Sequence, residues 1–458
     1  MAAAAEKKTH VVIVGAGIFG MSTALWMLRD GKYNVTVLDK CGILPAPDAA
    51  STDLNKIVRA GDYADPALAK LCLDAIDLWR LPEWKGTYHE TGVFALSTSD
   101  EKDGLAFVDA AYKNCRDYGL DAQLVDGPNA IKSRYPSSVP TGSFGGRQGY
   151  FNPIGGWAEA GRAVDVGLKM VRQLGGTIRA GAEVTGLVKE GKEIKGVVLK
   201  SGEEVKSDLV VVAAGAWTPS LFASPGVASR FPDVIATGQS VGTIQLTPEE
   251  VETYSKIPVV FNLDDGWYCF PPNPDGLVKM AIHGAGVINP QPSTNGVSVP
   301  RTKLTPGAED GAIPLEMLKR LRKGMAEVYP ELAKKDFVTT RLCWYCDTVT
   351  GDWLIDYHPD YTNLVLATGG SGHAFKFAPV IGREILRVVE RDPNPSYGER
   401  WAFYFDEKVV AAEGKEAAGD VSREGGETSK AGADVRAGMR KVLREEDLLK
   451  PQDLKAQA

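Results

Sequence analysis

Three glycines and one acid are the residues of this chain whose spacing most directly implies chemistry. Gly15, Gly17 and Gly20 form a Gly-x-Gly-x-x-Gly run, and Asp39 stands 39 − 20 = 19 residues beyond the last of them. Such glycines permit a tight turn, let the backbone approach a pyrophosphate, and let a helix pack closely on a strand. The first N–H groups of the helix then point at the phosphates. A carboxylate about that far downstream holds ribose hydroxyls. The chemistry is therefore dinucleotide binding, and it predicts the elements around it. Residues 11–14 are apolar and mostly β-branched, as in a buried parallel strand. Residues 21–28 read as the helix and residues 34–38 as the next strand.

Two later segments repeat the pattern of an apolar strand running into a small-residue turn, at 208–217 and 364–373. A helix is expected at 380–390. Three such returns predict one nucleotide domain interrupted by insertions. Residues 86–149 and 226–339 are rich in proline, aromatics and alternating stretches, and predict a second, mixed β-sheet domain that roofs the cofactor. The fold class expected is α/β (α+β). The cofactor domain is assigned to residues 1–85, 150–225 and 340–405, and the substrate domain to 86–149 and 226–339. Residues 406–458 form a charged tail, with 413–434 disordered and 435–450 an isolated charged helix.

The net charge of −7 over 458 residues gives no reason to expect nucleic acid or an anionic membrane as partner. No apolar run is long enough to span a bilayer. The start lacks the apolar core of a secretion signal, and six scattered cysteines suggest no disulfide framework. The end is not a peroxisomal Ser-Lys-Leu address. A cytoplasmic protein is expected.

The extended layout is more specific than the opening motif. It joins the early glycine loop, the Val-Val-Ala-Ala-Gly-Ala-Trp return at 211–217 and the Ala-Thr-Gly-Gly-Ser-Gly-His loop at 367–373. To these it adds Asp53-Leu54-Asn55-Lys56-Ile57-Val58-Arg59 and the motifs between Arg341 and Phe377. Together they resemble the amine-oxidising flavoproteins of the sarcosine oxidase and fructosyl amino acid oxidase (amadoriase) family. The likeness is greatest to the fungal branch that includes saccharopine and pipecolate oxidases, and it covers about residues 9–405.

The resemblance implies FAD in a Rossmann-like domain. It makes Cys343 the covalent link to the flavin, against the competing reading of Cys343 and Cys346 as a Cys-x-x-Cys redox or metal pair. Lys279 matches the lysine that faces the flavin where oxygen reacts. Arg59 and Lys376 match the groups that hold the substrate carboxylate, and Lys56 either joins them or faces the flavin ring. Further cofactor contacts fall on Ile18, Lys40, Ser51 and Val184, in addition to Gly15, Gly17, Gly20 and Asp39. Gly215, Gly370, Gly372, His373 and Lys376 complete the set. No metal site is expected. Taken alone, Lys279 reads as a snorkelling surface lysine, Arg59 as a surface partner of Asp53 or Asp62, and Lys376 as a solvated helix end.

His283 and Tyr345 stand where amadoriases place acidic residues, and Ala402 where they place an arginine. The first two resemble the sarcosine oxidase pattern and suit a pocket for an N-methyl or ring amine. The resemblance therefore implies a monomeric oxidase of a secondary α-amino acid, N-methylated, cyclic or otherwise N-substituted. It gives an imine and reduces oxygen to hydrogen peroxide. The alternative is a fructosyl amino acid or saccharopine oxidase.

Overall fold

The structure is a computed structural model that describes residues 7–224, 226–227, 234–403 and 440–456. A six-stranded sheet carries the nucleotide motif. Its order is Leu354–Tyr357, Leu364–Thr368, Leu209–Val212, Thr9–Val14, Tyr33–Leu38 and Thr177–Arg179. All neighbours are parallel except the first pair. Successive side chains of a strand point to opposite faces. Val11, Ile13 and Val211 accordingly pack with the helices Ile18–Asp30, Ala160–Gln173 and Ile381–Val389. Val12, Val14 and Val212 pack beneath the three-stranded meander of residues 184–206. With both faces covered, the strands are apolar throughout rather than alternating.

The three strands that run into glycine turns are neighbours and parallel, so all three turns lie along one edge of the sheet. Ligands of open α/β sheets bind at that carboxyl edge. There Gly15 has φ +108°, and a Cβ on Gly20 would lie 1.9 Å from the Gly15 carbonyl oxygen. These contacts are the tight turn and the close packing that the motif calls for.

The second domain is built on a ten-stranded sheet. Its centre is the long strand Val234–Gln245, flanked by Leu277–Ile282 and by Phe337–Thr348. One face packs on the helix Leu315–Val328 through Trp267, Met280, Leu321 and Trp344. The other face turns towards the cofactor domain.

Two sequence expectations need correction. Phe337–Thr348 pairs along its length with Val234–Gln245, and Gln148–Asn152 pairs with Val93–Ser97. Residues 340–348 and 150–152 thus belong to the large sheet, because cross-strand pairing decides which sheet a strand joins. The tail over 440–450 is not an isolated helix. Residues 440–456 lie along the second domain, with a strand Lys441–Val442 and 3₁₀ turns at Glu445–Asp447 and Pro451–Leu454. Leu449 is buried there, and Leu443, Leu448 and Leu454 pack on the same core. A free helix would have exposed these leucines. The segment 413–434 lies outside the described residues. Among the described residues no helix is long and apolar enough to cross a membrane.

Candidate active site

Strand periodicity assembles one wall of the site. Gln239 stands opposite Cys343, Thr237 opposite Tyr345, and Thr243 opposite Lys279. Residues two apart share a face, so Lys279, Ala281 and His283 point the same way, as do Arg341, Cys343 and Tyr345. Val241, Tyr268, Phe270 and Ala281 surround Cys343 and Tyr345 on that face. The opposite wall comes from the strand Lys56–Val58, which delivers Lys56 and then Arg59, and from the loop 369–377. Gly372 is where the walls meet. Its φ is +77°, and a Cβ there would lie 2.3 Å from Tyr345 Cε2 and 2.8 Å from His283 Cε1.

Behind the first wall lies a buried charge cluster centred on Asp53. Lys279 is fully buried, and its Nζ donates to Asp53 Oδ2 at 2.7 Å and to the Asn55 carbonyl at 2.6 Å. Lys56 Nζ donates to Asp53 Oδ2 at 3.0 Å and to Cys343 Sγ at 3.5 Å. Arg341 Nη2 lies 4.0 Å from the same carboxylate. Burial alone would raise Asp53, but Lys279, Lys56 and Arg341 together hold it well below the usual carboxylate range. Burial brings Lys279 down to about 8 despite Asp53. Lys56 is raised, because Cys343 and Asp53 outweigh its burial. Three cations share one carboxylate, so the cluster keeps a fixed excess of positive charge.

The second group is an anchor around Tyr63. The Arg59 guanidinium sits 4.4 Å above the Tyr63 ring and donates to the Asp62 carbonyl at 3.0 Å. Lys376 Nζ donates to Tyr63 Oη at 2.7 Å and to the His373 carbonyl at 2.6 Å. His373 Nε2 lies 2.8 Å from the Gly351 carbonyl, which can only accept, so Nε2 carries the proton. Nδ1 lies 3.3 Å from Tyr63 Oη. Burial, then Arg59, lowers Lys376 well below an ordinary lysine. Tyr345 is pushed well above its ordinary value by burial and stays protonated.

A cavity of about 660 Å³ opens between these walls. Lys56, Arg59, His283, Tyr345, Gly372, His373 and Lys376 all line it. Lys279 and Cys343 lie in the wall behind, Cys343 hydrogen-bonded to Lys56 and Lys279 joined to it through Asp53. The remaining predicted residues sit at the nucleotide edge. Gly17 caps the first helix without a side chain, and the first turn carries no acid. Asp39 accepts from the backbone N–H of Ala16 at 2.8 Å, and Ser51 Oγ from that of Ile18 at 3.1 Å. Lys40 Nζ lies 3.9 Å over the Trp217 ring, beside the Gly215 turn. Val184 opens the meander, and Gly370 packs against Phe19.

Several isolated readings fail here. Lys279, Arg59 and Lys376 are buried rather than solvated. Cys343 and Cys346 lie in different clusters on opposite faces of their strand, and Cys346 Sγ accepts from Thr368. They do not form a dithiol pair. Ala402 does not line the cavity. Sequence reasoning missed the roles of Asp53, Tyr63, Tyr268 and Arg341 in these groups. Arg341 was legible in principle, since it precedes Cys343 by two on a strand.

The donor set fits a flavin dinucleotide. Besides the open helix start and the acid, the side-chain amide of Asn55 and the Nε and Nη2 of Arg341 are buried. They make no hydrogen bond among the described residues. A bound ring system with a polar edge would satisfy them.

The family described as FAD dependent oxidoreductase (DAO) matches residues 10–387. L-saccharopine oxidase of Schizosaccharomyces pombe is 30% identical over 421 residues, covering 87% of this chain and 94% of that one. Monomeric sarcosine oxidase of Bacillus sp. is 24% identical over 390 residues, covering 83% and 93%. The crystal structure of fructosamine oxidase (Amadoriase II) from Aspergillus fumigatus in complex with FSA superposes with a TM-score of 0.77. It is 29% identical and covers 89% of this chain and 92% of that one.

Proposed function

This chain belongs to the FAD-dependent oxidoreductases of the DAO family, and from that premise we propose that it oxidises a secondary α-amino acid with dioxygen as acceptor. The observation that carries the reading is the buried pair Arg59 and Lys376 on one Tyr63 ring, facing a cavity that Lys56 also lines. A bound flavin would supply the acceptor for a hydride equivalent from the carbon beside nitrogen; with the nitrogen's proton also lost, dioxygen takes up two electrons and two protons, so the products are an imine and hydrogen peroxide.

Arg59 offers a planar fork to the substrate carboxylate and Lys376 adds a point charge. Anchoring the carboxylate fixes where the neighbouring carbon sits, and much of the rate enhancement is positioning. His283 and Tyr345 shape the space around the nitrogen. The fixed positive charge of Lys279 and Lys56 stabilises negative charge that develops as electrons leave for oxygen. Cys343, buried with its Sγ 3.5 Å from Lys56 Nζ, is the residue that would tether the cofactor.

A peroxide-coupled assay across sarcosine, N-methyl aromatic amino acids, pipecolate, saccharopine and fructosyl-valine tests the reading. Peroxide from at least one of them is expected, and its absence with all of them would overturn it. Acid precipitation tests the tether. Yellow colour should stay with the protein pellet and move to the supernatant in Cys343→Ala.

A further inference from the structure

The cavity has an outer wall made by a part of the chain that the sequence pattern set aside as a tail. We propose that residues 441–447 select the length of the amine's N-substituent, so that the substrate is an α-amino acid bearing a long, apolar-stemmed chain on nitrogen. This rests on the amine-oxidase reading above and narrows it.

The segment is built into the fold. Lys441 and Val442 pair in parallel with Val287 and Ile288, and Leu443 donates to the Ile288 carbonyl at 2.8 Å. Further along, Leu449 donates to the Ile313 carbonyl at 2.9 Å and is buried. Lys455 pairs with Asp336 at 2.9 Å, and Lys441 with Glu316 at 2.9 Å. The strap is thereby fixed against the first turn of the helix Leu315–Val328, whose Leu315 and Met317 share the cavity lining with Val442 and Leu443.

Its place sets a length scale. From the strap, the order across the sheet is 441–442, then 287–288, then Val234–Gln245, then Phe337–Thr348 with Cys343 and Tyr345. Three strand spacings separate the first from the last, about 14 Å. An N-methyl group on a substrate anchored at Arg59 and Lys376 leaves the outer wall untouched. A substrate whose length approaches that span would run past Val287, Leu315 and Val442. Of the cavity of about 660 Å³, the inner part at Lys56, Gly372 and His373 would hold the flavin ring, and the outer part beside the strap is left for the substituent. Arg444 and Lys319 line the same outer part, and neither side chain has a hydrogen-bond or ion-pair partner among the described residues. They suit a polar terminus on the substituent.

The test uses the full-length holoenzyme and two variants, Val442→Trp and Arg444→Ala. Both positions are exposed, so neither change disturbs the core. The substrates are sarcosine, N-butylglycine and N-(5-carboxypentyl)glycine. Binding is read separately with the thioether analogues, in which sulfur replaces the amine nitrogen and no oxidation follows. Val442→Trp should raise both KM and the Kd of the long thioether by about tenfold or more, and leave (methylthio)acetate within about twofold. Arg444→Ala should weaken only the member with the distal carboxylate. In the wild type, the long thioether should slow amide exchange of Leu443, and (methylthio)acetate should not. Equal effects on short and long ligands, or none on either, would overturn the proposal. If no amine is oxidised but the long thioether still feels Val442→Trp, the oxidase reading fails and the wall stands.

Discussion

Two buried lysines, Lys279 and Lys376, stand on opposite walls and solve the same electrostatic problem differently. Taking an ammonium out of water costs several kcal/mol unless something compensates. Lys279 is compensated inside the protein by Asp53 at 2.7 Å, and burial brings it only to about 8. Lys376 donates to a hydroxyl and a carbonyl, and burial, then Arg59, bring it well below an ordinary lysine. The contrast teaches which charge is structural and which is poised. Lys279 brings its counter-charge with it. On the proposed reading, the substrate carboxylate adds a second negative charge beside Lys376 and Arg59, where Asp62 already acts on both.

The surest way to break the comparison is to remove the internal counter-charge. Asp53→Asn leaves Lys279, Lys56 and Arg341 confronting one another in a dry site. Removing one partner of a buried pair costs about 3–5 kcal/mol, and denaturant unfolding at pH 7 should show a loss of that size. The sign with pH is definite. Asp53 is held well below the usual carboxylate range, so its contribution is complete above about pH 4, where an unfolded aspartate has ionised. It disappears as pH falls through the lower native value. The variant should lack this acid-side decline, and an unchanged decline would show that Asp53 does not hold the cluster.

Arg59→Ala attacks the other wall. Truncating one partner of a buried charge pair costs about 2–5 kcal/mol, so kcat/KM should fall by about two to three orders of magnitude. Stopped-flow reduction at saturating amine separates lost affinity from lost positioning. Lys279→Met should act on the opposite half of the cycle. Reduction by amine should be near normal while reoxidation by oxygen slows about a hundredfold, the scale of losing one preorganised charge or donor. Normal reoxidation would remove Lys279 from that role.

The legibility of these walls follows from what is local in the chain. The strand, glycine turn, helix and acid around Gly15 and Asp39 are contiguous, and their physics can be read within 40 residues. The three glycine returns were legible because each is an apolar strand meeting a small-residue turn. That they share one edge required only parallel pairing. The charge cluster is another matter. Lys279 and Asp53 are 226 residues apart, and Tyr63 and Lys376 are 313 apart. No pattern in either segment shows that a partner exists, so each isolated residue reads as a surface group. The resemblance named Lys279, Arg59 and Lys376 without saying what neutralises them. The strap failed for a related reason. Charged residues dominate residues 440–456, yet Leu443, Leu448, Leu449 and Leu454 decide their place.

The smallest effects are those of pH, and they separate the two lysines most sharply. The Lys279 ammonium is present below about pH 8 and is lost above it. The rate constant for reoxidation by oxygen should therefore be flat at neutral pH and fall towards about tenfold per unit above 8. Lys376 requires a probe without an amine, because the substrate nitrogen must lose its own proton and imposes the opposite trend. (Methylthio)acetate supplies the carboxylate alone. A carboxylate favours the charged form of Lys376, so binding below the ordinary lysine range should take up a proton. The Kd should rise with pH once pH passes the lowered value of the free Lys376, and calorimetry in buffers of different ionisation enthalpy should register the uptake. Both signals should vanish in Lys376→Met and persist in Lys279→Met. If the proton uptake instead follows Lys279, the assignment of the two lysines is reversed, and the anchor is not where the carboxylate lands.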